Sequence, residues 1–504
     1  MAKICLCLTA KTLKRNLEIL NKYRKYADLA ELRVDCLEPD ERLLIRSFPE
    51  QAGLPVILAI RRKSDGGFFD SGEGSRINLM ARGLAYADAD RRLNYAYLEI
   101  EEDLNVPSLE EASRTFGTKI IRSYHNITGV EAELPAKIRR MRHSADEIIK
   151  IMAMAHSIGD VLTLLRTGKE YAGQEKIFIA VGPFGTCSRI IAEQFGSFLS
   201  YAYPFSEPDV PPAVQGQVDI VELAQIYRFH NISGVTKVCG ITGFPFTAAQ
   251  SLRFFNTIFG IEELDAVLVP FPADSITGCL ELMRELNVQC LSVMSPHKQA
   301  ILPLLDSQSE DVRRIGACNT LIMGPKGWQG TNTDTMGFAD YLRKFTGKSK
   351  LRWRRATVIG AGGSARAVAY VLNRLEAKAL ILNRNVQKAR ELAASYKFAW
   401  GGLDSQGIAQ MGKYNDIIIQ TTPMGMEGHD AGDPLAMYSF SGKETVMDLV
   451  YQPEMTAFLA RAADAGCRVQ NGSDLLLREA KYQYAGFTGK EFPEHLVSRI
   501  RLDA

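Results

Sequence analysis

Eight short apolar runs, at 4–8, 29–34, 56–60, 96–100, 119–122, 148–152, 177–181 and 198–202, alternate with helical segments from the start of the chain to about Tyr227. Strands and helices in that alternation and number predict a closed (β/α)8 barrel. Chemistry on such a barrel belongs at the C-terminal strand ends. Polar residues gather at those positions. Glu31, Arg33 and Asp35 alternate through the end of the second run, Arg61 follows the third, and Ser123 and His125 follow the fifth. Lys150 interrupts the sixth run, and Arg189 comes after the seventh in Gly182-Pro183-Phe184-Gly185-Thr186-Cys187-Ser188-Arg189.

A barrel accounts for less than half of 504 residues, and at roughly 150 residues per domain the length allows about three compact units. Sixty Lys and Arg against fifty-eight Asp and Glu leave a net charge of +2, so no broad field for nucleic acid is expected. The longest apolar runs fall well short of the roughly 20 residues that span a bilayer, and the first residues read as a strand and not as a secretory signal. Nine scattered cysteines with no C-x-x-C pair suit a reducing cytoplasm, where small buried hydrophobes are expected and no metal site is.

Periodicity lapses at 228–234, and a second α/β region begins at Val235. Its sharpest motif is a strand, 356–359, followed by Gly360-Ala361-Gly362-Gly363-Ser364-Ala365 and a helical run. Glycines in that context permit a tight turn and let backbone N–H groups approach a pyrophosphate at a helix N-terminus. The next strand ends in Asn383-Arg384 and carries no acid to bind a ribose 2′-hydroxyl. Arginine there favours a 2′-phosphate, hence NADP, over the commoner fate of a solvated side chain.

A lysine inside an apolar strand is as often an edge gatekeeper or a snorkelling side chain as a functional group. Inside a barrel, desolvation favours its neutral amine, which attacks ketones, and a nearby histidine is suited to shuttle protons. Taken with Glu31-Leu32-Arg33-Val34-Asp35, Arg61 before Asp65-Gly66-Gly67, Ser123-Tyr124-His125, Lys150, Ser188-Arg189 and Gly216-Gln217, the chain resembles the bifunctional family of type I 3-dehydroquinate dehydratase and shikimate dehydrogenase. In the second half Ser295-Pro296-His297-Lys298 and Asn332-Thr333-Asp334 resemble the dehydrogenase motifs.

The resemblance implies a barrel over 1–228, a substrate-binding lobe over 235–337 completed by 475–504, and a Rossmann-type NADP lobe over 338–474. It gives Lys150 the Schiff base with 3-dehydroquinate and His125 the proton transfers. Glu31, Arg33, Arg61, Asp65, Arg189 and Gln217 contact or orient that substrate, with Asp65 reaching toward His125 in place of a usual Glu. Lys298 becomes the proton donor of the reductase and Asp334 its orienter. Ser251, Ser292, Asn319 and Glu479 are implied substrate contacts, and Gly360, Gly362, Gly363, Asn383, Arg384, Thr422 and Met424 cofactor contacts. The products would be 3-dehydroshikimate and then shikimate, in the cytoplasm, without nucleic acid or membrane partners. Ala213, Ala249, Ser292, Met294 and Glu479 depart from the family pattern. They leave two alternatives open: a dehydrogenase acting on quinate or a related ring acid, and a non-catalytic sensor of pathway metabolites.

Overall fold

A computed structural model describes residues 1–85, 90–210, 216–246, 249–347 and 349–496. Ala213 and the tail at 497–504 lie outside these. The chain divides into two compact units, one running from Met1 to Val288 and the other beginning at Gln289.

In the first unit each expected run becomes a parallel strand: β1 (Lys3–Leu8), β2 (Leu29–Arg33), β3 (Val56–Ala59), β4 (Tyr97–Glu101), β5 (Lys119–Asn126), β6 (Ile148–Met154), β7 (Lys176–Val181) and β8 (Leu199–Tyr203). They curl in the order β7-β6-β5-β4-β3-β2-β1-β8, and the short β9 (Val218–Asp219) is added beside β8. Successive side chains of a strand point to opposite faces, so Ile148, Lys150 and Met152 share one face of β6 and Ile149, Ile151 and Ala153 the other. One correction concerns β5. Its pairing with β6 continues through Ser123↔Lys150 and His125↔Met152, so Ser123 and His125 lie within the strand and not beyond it.

The seam between β7 and β8 is closed differently from the other strand pairs. Phe198 N donates to Lys176 O at 2.6 Å, and Ser197 Oγ both accepts from Phe178 N at 2.9 Å and donates to Phe178 O at 3.1 Å. A buried hydroxyl thus substitutes for one rung of the ladder. The residues expected as a linker are tied to structured neighbours. His230 Nε2 lies 2.8 Å from Asp28 Oδ2, and Arg228 donates to the carbonyls of Leu264 and Ala266. Here β10 (Lys237–Thr242) and β11 (Ala266–Pro270) pair in parallel.

The second unit holds two sheets. One contains β12 (Cys290–Val293), β13 (Ser307–Gln308), β14 (Thr320–Gly324) and β15 (Gly327–Thr331), with β12 antiparallel to β14, β14 antiparallel to β15, and β13 parallel to β15. The other is wholly parallel: β16 (Arg355–Ile359), β17 (Lys378–Leu382), β18 (Ala399–Gly401), β19 (Ile417–Gln420), β20 (Thr445–Asp448) and β21 (Arg468–Gln470), in the order β18-β17-β16-β19-β20-β21. The order reverses between β16 and β19, and open sheets of this type bind ligands at that switch point. Among the described residues no helix is long and apolar enough to cross a membrane, and none of the nine cysteines forms a disulfide.

Ser197→Ala leaves Phe178 N and O without their side-chain partner at the seam. It should lower barrel stability by about 1–3 kcal/mol, read as an earlier denaturation midpoint in urea; an unchanged midpoint would show that the seam closes without the hydroxyl.

Candidate active sites

The barrel interior collects a cluster of ionisable groups from neighbouring strands. Lys150, fully buried on β6, donates to Glu99 Oε2 at 2.7 Å and lies 3.5 Å from Glu31 Oε2. Its Nζ also sits over the Tyr201 ring, 4.4 Å from the centroid. His125 Nε2 is 3.1 Å from Glu99 Oε1, an ion-pair distance at which the N–H is misaligned for a hydrogen bond. Burial, then the Arg61 charge, push the pKa of His125 down to about 3, so its ring is neutral. Burial works in the opposite sense on Glu99, but the Lys150 charge foremost outweighs it and holds that carboxylate well below its usual range.

Arginines complete the cluster. Asp35 grips Arg33 through two bonds of 2.8 and 2.6 Å and also accepts from Phe68 N, leaving Arg33 Nη1 buried and unpartnered. Arg61 approaches Glu99 at 3.8 Å. Arg189 is fully buried, yet none of its three guanidinium nitrogens has a hydrogen-bond partner in the described structure. A buried guanidinium left unpaired costs several kcal/mol, and burial, aided by the Arg61 charge, pulls its pKa down to about 10. An anion at this position would satisfy it. Gln217 Nε2 contacts Cys7 Sγ at 3.3 Å while its Oε1 remains unpaired, as do Ser123 Oγ and the Tyr201 hydroxyl.

Two features differ from the sequence reading. Asp65 does not serve His125: its carboxylate accepts from Arg62 Nε at 2.7 Å, in the short turn Lys63–Asp65. The carboxylate at His125 is Glu99, whose strand β4 is the immediate neighbour of β5. Tyr201 was missed as well. Glu99 carried a signal in Tyr97-Leu98-Glu99-Ile100-Glu101, where a charge inside a barrel strand must face either the interior or the helices.

In the second unit Lys298 Nζ donates to Asp334 Oδ2 at 2.6 Å. Asn319 Nδ2 bonds the other oxygen of Asp334, and Asn319 Oδ1 accepts from Thr333 N at 2.8 Å. Asn319 therefore fixes the start of the Thr333–Thr346 helix and with it the carboxylate. Burial would lower the Lys298 pKa, but Asp334 and Glu479 hold it above the usual lysine range. A cavity of about 110 Å³ joins Lys298, Asp334 and Glu479 to Ser364, Ala367 and Tyr451. Ser292 Oγ is engaged by Gln483 Nε2 at 3.1 Å, which also reaches Thr320 Oγ1. Ser251 and Ala249 stand at the start of the Ala249–Ile261 helix in the first unit.

The glycine turn lies at the end of β16. Gly360 has φ +114°, and a Cβ there would fall 2.5 Å from Thr421 Oγ1, while Gly362 faces open space. A Cβ on Gly363 would sit 3.5 Å from Lys298 Cδ, so Lys298 and the glycine turn are neighbours. Gln420 Nε2 donates to the carbonyls of Thr422 and Met424, and its Oε1 accepts from Thr422 N, which pins the loop across the switch point. Asn383 turns its amide to Asn385 O at 2.9 Å, and Arg384 is exposed with no ion-pair partner among the described residues. A narrow glycine cradle, a helix N-terminus and a free arginine with no competing acid fit a phosphorylated dinucleotide.

Residues 4–233 match the Type I 3-dehydroquinase family, residues 241–321 the shikimate dehydrogenase substrate binding domain, and residues 343–425 the shikimate / quinate 5-dehydrogenase family. Over 99% of its length the chain is 27% identical to the chloroplastic bifunctional 3-dehydroquinate dehydratase/shikimate dehydrogenase of Arabidopsis thaliana, of which it covers 84%. Over 96% of its length it is 30% identical to the pentafunctional AROM polypeptide of Malassezia globosa, spanning 31% of that longer protein. Over 54% of its length it is 34% identical to the shikimate dehydrogenase (NADP(+)) of Geobacter metallireducens, of which it covers 99%. The dehydratase match and the two dehydrogenase matches follow one another along a single polypeptide, and the chain belongs to the bifunctional 3-dehydroquinate dehydratase/shikimate dehydrogenase family.

Proposed function

We propose that the barrel dehydrates 3-dehydroquinate to 3-dehydroshikimate and that the second half reduces this product to shikimate with NADPH, two consecutive steps of the shikimate pathway. The observation that carries the reading is Arg189, a buried guanidinium without a protein partner, in the same interior as Lys150 and His125. It suits a substrate that is both a carboxylate and a ketone. The halves divide at 228–235, with a substrate lobe over 235–337 and a cofactor lobe over 338–474.

Attack on the C3 ketone requires the neutral amine of Lys150, and Glu99 at 2.7 Å and Glu31 at 3.5 Å are the carboxylates placed to take its proton. Loss of water from the carbinolamine gives an imine that draws electrons from C2. His125, neutral in this environment, accepts the C2 proton. The resulting enamine expels the C1 hydroxyl, to which His125 returns that proton, so one water leaves overall. Hydrolysis of the imine then frees Lys150. Glu99 positions both Lys150 and His125, and Arg189 holds the substrate carboxylate.

In the second half Gly360, Gly362, Gly363, Arg384 and the Thr422–Met424 loop hold the cofactor. NADPH, when bound, supplies the hydride for the carbonyl carbon. Lys298, kept as an ammonium by Asp334, donates its proton to the carbonyl oxygen as negative charge develops there. Asp334, held in turn by Asn319, fixes the direction of that donation. A sensor without catalysis is not favoured, because Lys150, His125, Lys298 and Asp334 are all present and paired or enclosed.

Borohydride added with 3-dehydroquinate should fix the substrate covalently to Lys150, and Lys150→Met should abolish the adduct; no adduct in folded wild-type protein would sink the Schiff-base route. Glu99→Gln should lower dehydratase kcat by about 10²–10³-fold with dehydrogenase activity untouched. Arg384→Ala should raise KM for NADPH by about tenfold to a hundredfold while leaving KM for NADH in place. An equal change for both cofactors would remove Arg384 from the 2′-phosphate.

A further inference from the structure

Glu479 introduces a second carboxyl into the cavity of the Lys298–Asp334 pair. It projects from the Ser473–Thr488 helix where that helix crosses the Thr333–Thr346 helix. The crossing is close enough that a Cβ on Gly337 would lie 2.8 Å from the Glu479 backbone nitrogen. Glu479 is half-buried and lines the cavity with Lys298, Asp334 and Tyr451. Lys298 spends its ion pair on Asp334 at 2.6 Å, and Glu479 has no ion-pair partner among the described residues. The charged neighbours on its own helix are committed elsewhere, Arg478 to Asp474 at 3.0 Å and Lys481 to Glu494.

The charge count in this cavity bears on the protonation state. One ammonium and one carboxylate leave the cavity neutral. A second ionised carboxylate would make it net negative, facing an anionic ring acid. Burial, followed by the Asp334 charge, accordingly pushes the Glu479 pKa up to about 8, with Lys298 opposing.

We propose that Glu479 binds the ring-acid substrate in its neutral form, donating a hydrogen bond from its carboxyl O–H, and that loss of this proton weakens substrate binding. Glu479 is thus a specificity-determining residue that gives the dehydrogenase half a pH dependence of KM. The inference rests on the reading of the second half as a shikimate dehydrogenase.

The test measures KM for shikimate with NADP from pH 7 to 10 on the full chain, for the wild type and for Glu479→Gln, with dehydratase activity as the control for folding. Wild-type KM should be flat below about pH 8 and then climb about tenfold per pH unit, as expected when one protonated carboxyl is required. The Gln variant, whose amide donates at every pH, should show a flat KM across the range, and Glu479→Asp should restore a rise. Calorimetric titration of shikimate into the cofactor-free protein should give a dissociation constant with the same pH profile. A flat wild-type profile, or a rise of equal size in Glu479→Gln, would overturn the inference while leaving the functional reading intact. If neither protein binds or turns over shikimate at any pH, the functional reading fails and the inference with it.

Discussion

Everything in the barrel site follows from removing charge from water and then leaving the compensation one short. Four cations, Lys150, Arg33, Arg61 and Arg189, share the interior with three carboxylates, Glu31, Glu99 and Asp35, and all seven are buried. Four positive charges against three negative leave a net charge of +1 around a neutral His125. Two of the carboxylates have defined positions: Asp35 holds Arg33 through two bonds, and Glu99 binds Lys150 and lies against His125. The surplus falls on Arg189, the one cation of the four without a carboxylate within ion-pair distance among the described residues. A monoanionic substrate neutralises the interior, so binding and charge compensation become the same event.

The barrel geometry makes this charge density possible. Parallel strands with alternating faces deliver one side chain every second residue to the centre, and adjacent strands bring residues distant in sequence into contact. Glu99 on β4, His125 on β5 and Lys150 on β6 meet because their strands are neighbours in the sheet. Short loops then need only seat the arginines. Gly185 shows how tightly: a Cβ there would fall 2.2 Å from Ala180 O, so the turn that delivers Arg189 has no room for a side chain.

Much of this architecture was legible in the sequence, because apolar periodicity is a local property and the barrel strands fall where the runs predict. The identity of the partners was not. Asp65 sits three residues after Arg62 in a turn that pairs the two, and no spacing rule reveals that Glu99, two residues before an equally buried Glu101, is the carboxylate that faces Lys150. Both carboxylates lie on one face of β4, so that choice depends on height along the strand, which register across β4 and β5 sets. Likewise Gln420 reads as the last residue of an apolar strand, and only the reversal of strand order at β16 and β19 turns it into the clamp of the loop facing the glycine turn. Lys298 and Asp334 were recoverable because each lies in a distinctive local motif, whereas the raised proton affinity of Glu479 arises only from the company it keeps.

The two sites set their proton-carrying groups in opposite directions with the same physical means. In the barrel, burial and then the Arg61 charge lower the proton affinity of His125 and leave its ring neutral. In the second unit the outcome for Lys298 is the reverse, because the adjacent carboxylate outweighs desolvation and keeps the side chain an ammonium. Desolvation favours the neutral form in both sites, and only in the second do adjacent carboxylates outweigh it. One chain can therefore hold a neutral imidazole and a charged ammonium at the same pH, burial deciding the first and neighbouring carboxylates the second.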